Sequence, residues 1–448
     1  MWLGILGVCS FSAAGVYNPS LAWFQMLFLR LSCLYFPAVV FGSLAAGKTS
    51  GYVVHDAVWN FLLVPVKYLG AQFKILRQRM GKHHLSRQLG YGILGCLAAF
   101  PVLFLVVGLL ALADDTFARV LNNGFQKITG CWAGYAADGL LSLPLGAYLY
   151  GQLYGCACHR PEDYPSEEKL KKANQKQAVI PFAAMCPLLA GIVLLYLLFL
   201  VIQGSYYMGG LQGQLPDGFT YSQYARQGFF ELLAVSVLNL GIIAGARRFL
   251  RKNPDGTGRG AGLLRWHTLA LCVLTLLLIL TAMAKMYLYI QTYGLTPRRV
   301  IPSLFMLFLA AVFLLIGISQ FRPVPVMRIS VLLFATGFSV LTLCGMDGRI
   351  ASYNLERYAE GSLEDFPRIT LLEGDLASIP AMYRVWMETE DAELKEQIEE
   401  TAGQIRSRQD YTYFVNGEWS SANYGRNKAK EYLERMCGVP EGQNLSQP

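Results

Sequence analysis

The chain has 448 residues, of which 54% are hydrophobic and only 15% are charged, and its formal net charge is +8. A chain this long and this apolar is not an ordinary soluble protein. The charge is also divided, because residues 1–346 contain 27 basic and 11 acidic residues, whereas residues 347–448 contain 11 basic and 19 acidic residues. Two regions of opposite charge indicate two compartments and exclude nucleic-acid binding as the reason for the basic total.

Long apolar runs dominate the first 346 residues. A helical run of about 20 apolar residues matches the hydrocarbon thickness of a bilayer. We therefore predict an all-α fold, a polytopic transmembrane helical bundle of about eight or nine spans. The eight principal segments are 21–46, 88–113, 132–155, 178–203, 226–249, 263–291, 300–320 and 326–346, and the short, glycine-containing stretch 2–17 is the ninth candidate.

The connections between these segments alternate in basic content. One set carries about 20 Lys and Arg residues, and the set between them carries four. The rich connections are 48–87, 156–177, 247–265 and 321–325 with Arg328, and the poor set holds Arg119, Lys127, Arg298 and Arg299. The positive-inside rule places the rich set in the cytoplasm, so the acidic tail, residues 347–448, is predicted to be extracytoplasmic.

Two connections have helical patterns of their own. In Asp114–Gly130, apolar residues recur at spacings of three and four, which predicts an amphipathic helix on the outer surface. The segment Tyr52–Met80 mixes apolar and basic residues, and we predict an interfacial helix, broken near Pro65, that contacts anionic lipid at the cytoplasmic face. A further membrane crossing there is disfavoured by the charges.

The tail contains a charged helix at Asp391–Arg408, an aromatic stretch at Tyr411–Trp419 and a second helix around Asn423–Met436. Large apolar residues are scarce outside the aromatic stretch. These features predict a small, mainly helical cap that rests on the membrane domain rather than an independent catalytic domain.

Polar residues within the predicted spans form a candidate intramembrane polar site. Glu231 shares a helix face with Gln227, near Asn239, and lies about 7 Å deeper than Arg226. An ionisable group at membrane depth normally faces protein or water, so the group is either a polar pathway or a set of packing hydrogen bonds. The remaining member of the site is Arg30, a single charge within the first span.

The sequence Met286–Arg299 predicts a tight hairpin between two spans. Gly294 can end one helix in a left-handed conformation, Thr296 can cap the next, and Pro297 fits its first position. Beside it lies an external basic cluster, Lys285, Arg298 and Arg299, near Arg226. These residues bind anionic head groups, an anionic ligand or the acidic tail, or each snorkels separately.

Other patterns carry less information. Cys156-Ala-Cys158-His159 does not match a zinc site, and Pro254–Gly262 lacks the lysine and hydroxyl of a phosphate-binding loop. We predict no catalytic motif, metal site or cofactor. Gly241 and Gly245 form a small-xxx-small pair, which is a weak signal for close helix packing.

Five blocks follow one another in the last 240 or so residues, and as an ordered set they are fairly specific. They are Tyr224–Leu240 (YARQGFFELLAVSVLNL), Lys285–Arg299 (KMYLYIQTYGLTPRR), Asp347–Tyr358 (DGRIASYNLERY), Gly374–Tyr383 (GDLASIPAMY) and Glu418–Leu433 (EWSSANYGRNKAKEYL). The set resembles a family of bacterial multi-pass membrane proteins, the domain-of-unknown-function 4153/4173 group. The resemblance implies a protein of the bacterial cell membrane and implies no activity. It adds weight to Arg226, Glu231 and the tail positions Asp347, Asn354 and Trp419.

Three hypotheses of function follow. A transporter or channel-like protein predicts that Glu231, Arg30 and Asn239 face one another around a cavity. A non-catalytic membrane scaffold or sensor predicts a packed bundle whose tail docks through Asn354 and Trp419, with a membrane protein as its partner. We favour this second hypothesis slightly.

The third hypothesis is a membrane-embedded enzyme that acts on lipid or cell-envelope substrates. It requires convergent acid and base groups, for which Glu231, Asp347 and Glu356 are the candidates.

Overall fold

The structure is a computed structural model, and it describes residues 1–80, 99, 106, 107, 110, 132–158, 167–178, 180–210, 221–250, 259–416 and 423–437. Within these residues the chain forms helices and no strand, apart from one isolated bridge between Ile180 and Leu250, which confirms the all-helical prediction. The α-helices are Trp2–Gly15, Ala22–Val40, Val53–Val58, Val64–Tyr68, Ala71–Met80, Trp132–Ala157, Glu167–Gln177, Phe182–Gly210, Tyr221–Phe249, Arg259–Tyr293, Pro297–Ile318, Val326–Leu343, Met346–Ala359, Arg368–Gly374, Ile379–Glu388, Ala392–Asn416 and Tyr424–Cys437.

Six helices of the described part are long and apolar enough to cross a membrane: Pro19–Val40, Met185–Ile202, Phe229–Phe249, Gly262–Tyr293, Pro297–Ile318 and Val326–Leu343. They coincide with six of the predicted segments, so the chain has the helices of a multi-pass membrane protein. The predicted segment 88–113 lies almost entirely outside the described residues. Residues 132–155 and 2–17 form the helices Trp132–Ala157 and Trp2–Gly15, neither of which is among the six.

The chain divides into two compact units. The larger unit comprises Met1–Cys33 and Glu167–Pro448, and the smaller unit comprises Leu34–Ser166. The division falls within the helix Ala22–Val40. The boundary predicted at residues 346 and 347 lies inside the larger unit and stays a prediction.

The core of the larger unit forms around the helix Arg259–Tyr293. Three helices pack against it: Phe182–Gly210, Tyr221–Phe249 and Pro297–Ile318. Each helix buries one stripe and exposes other apolar side chains, as expected where lipid replaces water around a bundle. The most deeply buried side chains include Phe229, Leu271, Leu278, Met286, Met306, Leu309 and Phe313.

The tail has a hydrophobic core of its own, larger than its sequence suggests. Each of its helices contributes between one and four buried apolar residues, and these residues converge in the fold. Fully buried members include Leu355, Leu371, Leu376, Ile379, Met382, Ile398 and Ile405. The predicted charged helix begins at Ala392 and continues to Asn416, through the first six residues of the predicted aromatic stretch.

In the smaller unit, the predicted interfacial helix is interrupted twice. A π-helical turn at Trp59–Leu63 precedes Pro65, because proline cannot donate the backbone hydrogen bond of a regular helix. A second break at Leu69 and Gly70 precedes the helix Ala71–Met80. The predicted amphipathic helix Asp114–Gly130 lies outside the described residues.

Candidate functional site

The predicted hairpin between two spans forms at Tyr293–Pro297, and we call it the hairpin. Gly294 has a φ of +73°, the left-handed conformation that glycine adopts without strain. Thr296 occupies the N-cap position of the helix Pro297–Ile318, and Pro297 occupies its first turn. The Thr296 side chain makes no capping hydrogen bond, so only the position of the cap was predicted correctly.

Asn354 fastens the tail helix Met346–Ala359 to the hairpin. Its Oδ1 accepts a hydrogen bond from the Leu295 N–H at 2.7 Å, and its Nδ2 donates to the Leu295 carbonyl at 2.7 Å. The side chain is 1% exposed. A Cβ on Gly294 would lie 2.5 Å from Asn354 Oδ1, so the contact also requires a glycine at this position.

Two arginines bind the last carbonyl groups of the helix Arg259–Tyr293. Arg357, on the tail, donates to the carbonyls of Ile290 and Gln291 at 3.3 and 2.9 Å. Arg299 donates to the carbonyls of Tyr293 and Gly294 at 2.8 and 2.5 Å. Cations are favoured at this end of a helix because its carbonyl dipoles point outward. Arg357 was missed in the sequence because its partners lie 66 and 67 residues earlier.

The predicted basic cluster is divided in the structure. Arg298 forms an ion pair with Glu373 of the tail at 3.3 Å, but the Arg298 side chain is 85% exposed, so the pair contributes little to stability. Lys285 is 4% exposed within its span and interacts electrostatically with Glu231. Of the alternatives for this cluster, the pair with Glu373 favours the acidic tail as the partner of Arg298.

A second contact joins the tail to the N-terminal segment, Ala13–Ser20. Asn423 donates to the carbonyls of Ala13 and Val16 at 2.8 and 3.1 Å, and its Oδ1 accepts from the Arg426 N–H at 3.0 Å. The same side chain therefore caps the start of the helix Tyr424–Cys437 and binds the end of the helix Trp2–Gly15. The two contacts, at Asn354 and at Asn423, together form what we call the tail junction.

Between these contacts lies a buried acidic group. Asp347 is 2% exposed, and its Oδ2 accepts a hydrogen bond from the Ser20 N–H at 3.0 Å. Burial raises the pKa of the Asp347 carboxyl; hydrogen bonds from Ser20 oppose this shift, and repulsion from Glu373 adds to it. Nearby, the Tyr17 hydroxyl donates to Asp375 Oδ2 at 3.0 Å. Burial and then the charge of Asp375 raise the pKa of Tyr17, so its hydroxyl remains a donor.

The backbone at Asp375 is unusual. Its φ is +50°, the only positive φ of a non-glycine residue in the described part of the chain. Its ψ is −138°, so this conformation is one otherwise found almost entirely at glycine; it costs an aspartate about 1–3 kcal/mol and persists where surrounding contacts enforce it. The hydrogen bond from Tyr17 is one such contact, so the turn at Asp375–Ala377 is held by the N-terminal segment.

Three of the predicted intramembrane residues have described side chains, and these side chains lie in different surroundings. Asn239 is fully buried and satisfied: its Oδ1 accepts from the Tyr196 hydroxyl at 2.7 Å, and its Nδ2 donates to Thr275 Oγ1 at 2.9 Å. Glu231 is exposed on its helix, and Arg30 is exposed at the middle of the span Pro19–Val40. Asn239 thus joins three helices through hydrogen bonds, which is a packing role.

Three predicted site residues have no described side chain. Arg226 and Gln227 belong to the first turns of the helix Tyr221–Phe249, but their side chains lie outside the described part. Trp419 lies wholly outside the described residues. The three acidic residues required by the enzyme hypothesis lie in different environments. Asp347 is buried, Glu356 pairs with Arg384 on the surface, and Glu231 lies on another helix.

The smaller unit holds a buried polar cluster that the sequence analysis missed. Asp56 is fully buried, its Oδ1 accepts from the Ala45 N–H at 3.0 Å, and burial raises the pKa of its carboxyl. Asn60 donates to the carbonyls of Ser43 and Asp56, and Cys156 Sγ lies 3.6 Å from Asn60 Oδ1. The available signal was the pair of polar residues four apart in the apolar stretch His55–Leu63.

Comparison with known proteins identifies the family. A family model described as "Domain of unknown function (DUF4153)" matches residues 3–385, most of the chain. The chain therefore belongs to this family, as its sequence blocks indicated, and the match extends much further toward the N-terminus than those blocks. No curated protein and no solved structure matches the chain.

Proposed function

We propose that the protein is a non-catalytic scaffold or sensor of the bacterial cell membrane, with about eight or nine spans and an extracytoplasmic tail that caps the helix ends. The orientation is supported by the alternation of basic residues among the connections. The partner is a membrane protein, and the basic connections contact anionic lipid at the cytoplasmic face. The proposal includes no cofactor.

One observation carries this proposal: Asn354 binds both backbone groups of Leu295 while fully buried. These two hydrogen bonds attach the tail to the end of a membrane helix through the backbone of Leu295, so they do not depend on the Leu295 side chain. A movement of the hairpin is therefore transmitted to the tail helix Met346–Ala359, as a sensor requires, and a static hairpin holds that helix in place, as a scaffold requires. An open groove on the tail, in which Tyr383 stacks on Tyr432 at 4.7 Å, offers a surface for the partner.

The test uses Asn354→Ala, with the exposed Asn427→Ala as the matched control. Asn354→Ala leaves the Leu295 N–H and carbonyl without partners, at a cost of about 2–5 kcal/mol in docking. Hydrogen exchange of the helix Met346–Ala359 in nanodiscs should accelerate in Asn354→Ala and remain unchanged in Asn427→Ala.

Complementation of a deletion strain decides between the two candidate functions. We expect Asn354→Ala to fail in complementation and Glu231→Gln and Arg30→Gln to succeed. The opposite result, failure of Glu231→Gln with success of Asn354→Ala, would favour the second candidate, a transporter or channel-like protein. That candidate is supported by one observation, the buried Lys285 whose charge interacts with Glu231 inside a span.

A further inference from the structure

Three oxygen atoms beside the tail junction are buried without a hydrogen-bond partner in the described part of the chain. They are Asp347 Oδ1, Ser378 Oγ and Asn18 Oδ1, on residues that are 2%, 0% and 3% exposed. A buried oxygen atom is costly to leave without a hydrogen bond, and native proteins contain few such atoms. Three in one region therefore point to a bound group.

The three atoms belong to segments that contact one another. Ser20, two residues after Asn18, donates to Asp347 Oδ2, and Asn18 Nδ2 donates to the Thr342 carbonyl at 2.7 Å. A Cβ on Gly374 would overlap Ser378 Oγ and lie 3.9 Å from Asp347 Cβ, so both side chains lie against the same glycine.

The direction of the Ser378 hydroxyl is also informative. Ser378 has helical backbone angles, φ −79° and ψ −24°, because the turn Asp375–Ala377 runs directly into the helix Ile379–Glu388. Its hydroxyl makes no capping hydrogen bond and lies against Gly374, which Asp347 also approaches. The hydroxyl is thus available to a group bound between these segments.

We propose that Asp347, Ser378 and Asn18 bind a sodium ion. A carboxylate, a hydroxyl and an amide carbonyl are hard oxygen ligands, which suit alkali and alkaline-earth ions. The set contains a single carboxylate, because Asp375 is bound by Tyr17 and Glu373 by Arg298. One negative charge balances a monovalent ion, whereas calcium sites use several carboxylates.

The fold supplies further attraction for a cation. The site lies at the C-terminal end of the helix Val326–Leu343, whose carbonyl dipoles carry partial negative charge. Within the described residues, no three His, Cys, Asp or Glu side chains converge, which disfavours a transition metal. A sodium ion would bind the N-terminal segment, the start of the tail and the turn at Ser378 together. The inference deepens the proposed function and rests on it for the role of the ion in sensing.

The experiment measures the melting temperature of the full-length protein in nanodiscs, in NaCl, KCl, CaCl2 or choline chloride at equal ionic strength. We expect NaCl alone to raise the melting temperature saturably, by roughly 2–4 °C. Asp347→Asn and Ser378→Ala should abolish the response, and the exposed Asp365→Asn, with the same loss of charge, should retain it. Ser378→Ala removes one hydroxyl only, so it remains informative if Asp347→Asn does not fold.

Each other result overturns the proposal. An equal response to NaCl and KCl indicates ionic strength, and a response to CaCl2 alone indicates a different ion. Stabilisation by acid without a sodium response indicates that a proton or a water molecule satisfies Asp347. A sodium response that survives in Ser378→Ala places the ion elsewhere. None of these results changes the failure of complementation that we expect for Asn354→Ala, so each proposal can fail without the other.

Discussion

The buried carboxyl group of Asp347 makes stability depend on pH. Its pKa is raised in the folded chain above the ordinary value of 3.8, so the folded state binds more protons than the unfolded state above that value. Stability is therefore lost as pH rises from about 4 through the folded pKa. Glu373 and Tyr17 are the titratable groups that interact with it electrostatically; Glu373 is paired with Arg298, and Tyr17 interacts with Asp375 and Arg426.

Asp347→Asn should remove this dependence, since an amide does not titrate. In sodium-free buffer, the wild-type protein should lose stability relative to Asp347→Asn as pH increases from about 4 toward 7, and the variant should show a flatter profile. Chemical denaturation in nanodiscs at several pH values measures the difference. Parallel profiles for the two proteins would contradict the assignment of the titrating group.

Other residue-scale features differ in how far the sequence reveals them. Gly294, Thr296 and Pro297 form a local pattern, and the hairpin could be predicted from it. Asn354 was singled out within a family block, but its partner was not, because Leu295 lies 59 residues earlier. The contact between Asp347 and Ser20 spans 327 residues, a separation at which a single sequence carries no pairing information.

At the scale of helices, two glycine pairs with the same spacing behave differently. The pair predicted to allow close packing, Gly241 and Gly245, has no atom within 4 Å of an added Cβ. At Gly151, by contrast, an added Cβ would lie 2.8 Å from the Pro65 carbonyl oxygen. An added Cβ at Gly155, one turn further, would overlap the side chains of Val64 and Tyr68. The spacing signals a close approach only where another helix is present.

Gly151→Ala should therefore destabilise the smaller unit by about 1–3 kcal/mol, because the backbone at Pro65 cannot move as a side-chain tip can. Gly241→Ala is the matched control and should be neutral or stabilising, since alanine favours a helix more than glycine does. Thermal unfolding of both variants in the same detergent provides the comparison. Equal melting temperatures would show that the helix Val64–Tyr68 does not pack closely against Gly151.

Membrane-spanning helices were the most predictable elements, because each needs only a local run of apolar residues. Six predicted spans correspond to helices of the right length and apolarity. The tail core was not foreseen, since its members are distributed over separate helices: Arg368–Gly374 buries only one large apolar side chain, and the regular spacing in Ile379–Glu388 extends over ten residues. The π turn at Trp59–Leu63 was not predicted either, because it depends on the hydrogen bonds of Asn60 as well as on Pro65.

For the whole molecule, the proposed orientation is open to direct measurement. Single-cysteine proteins that retain either Cys437 or the exposed Cys158 differ in predicted compartment. A membrane-impermeant maleimide should label Cys437 in intact cells and Cys158 only after permeabilisation. Burial raises the pKa of the Cys437 thiol, so labelling is best carried out near pH 8.5, where more thiolate is present. Labelling of Cys437 only after permeabilisation would place the tail in the cytoplasm.

The separation of partners in the tail junction has a consequence for synthesis of the chain. The carbonyls of Ala13 and Val16 are bound by Asn423, which is added 410 and 407 residues later. At about 5–20 residues per second, the end of the first helix waits roughly 20–80 seconds for this side chain. During that time the open helix end is accessible to chaperones and proteases. Formation of the tail junction is thus a late event in biogenesis, and cellular quality control can distinguish chains before and after it.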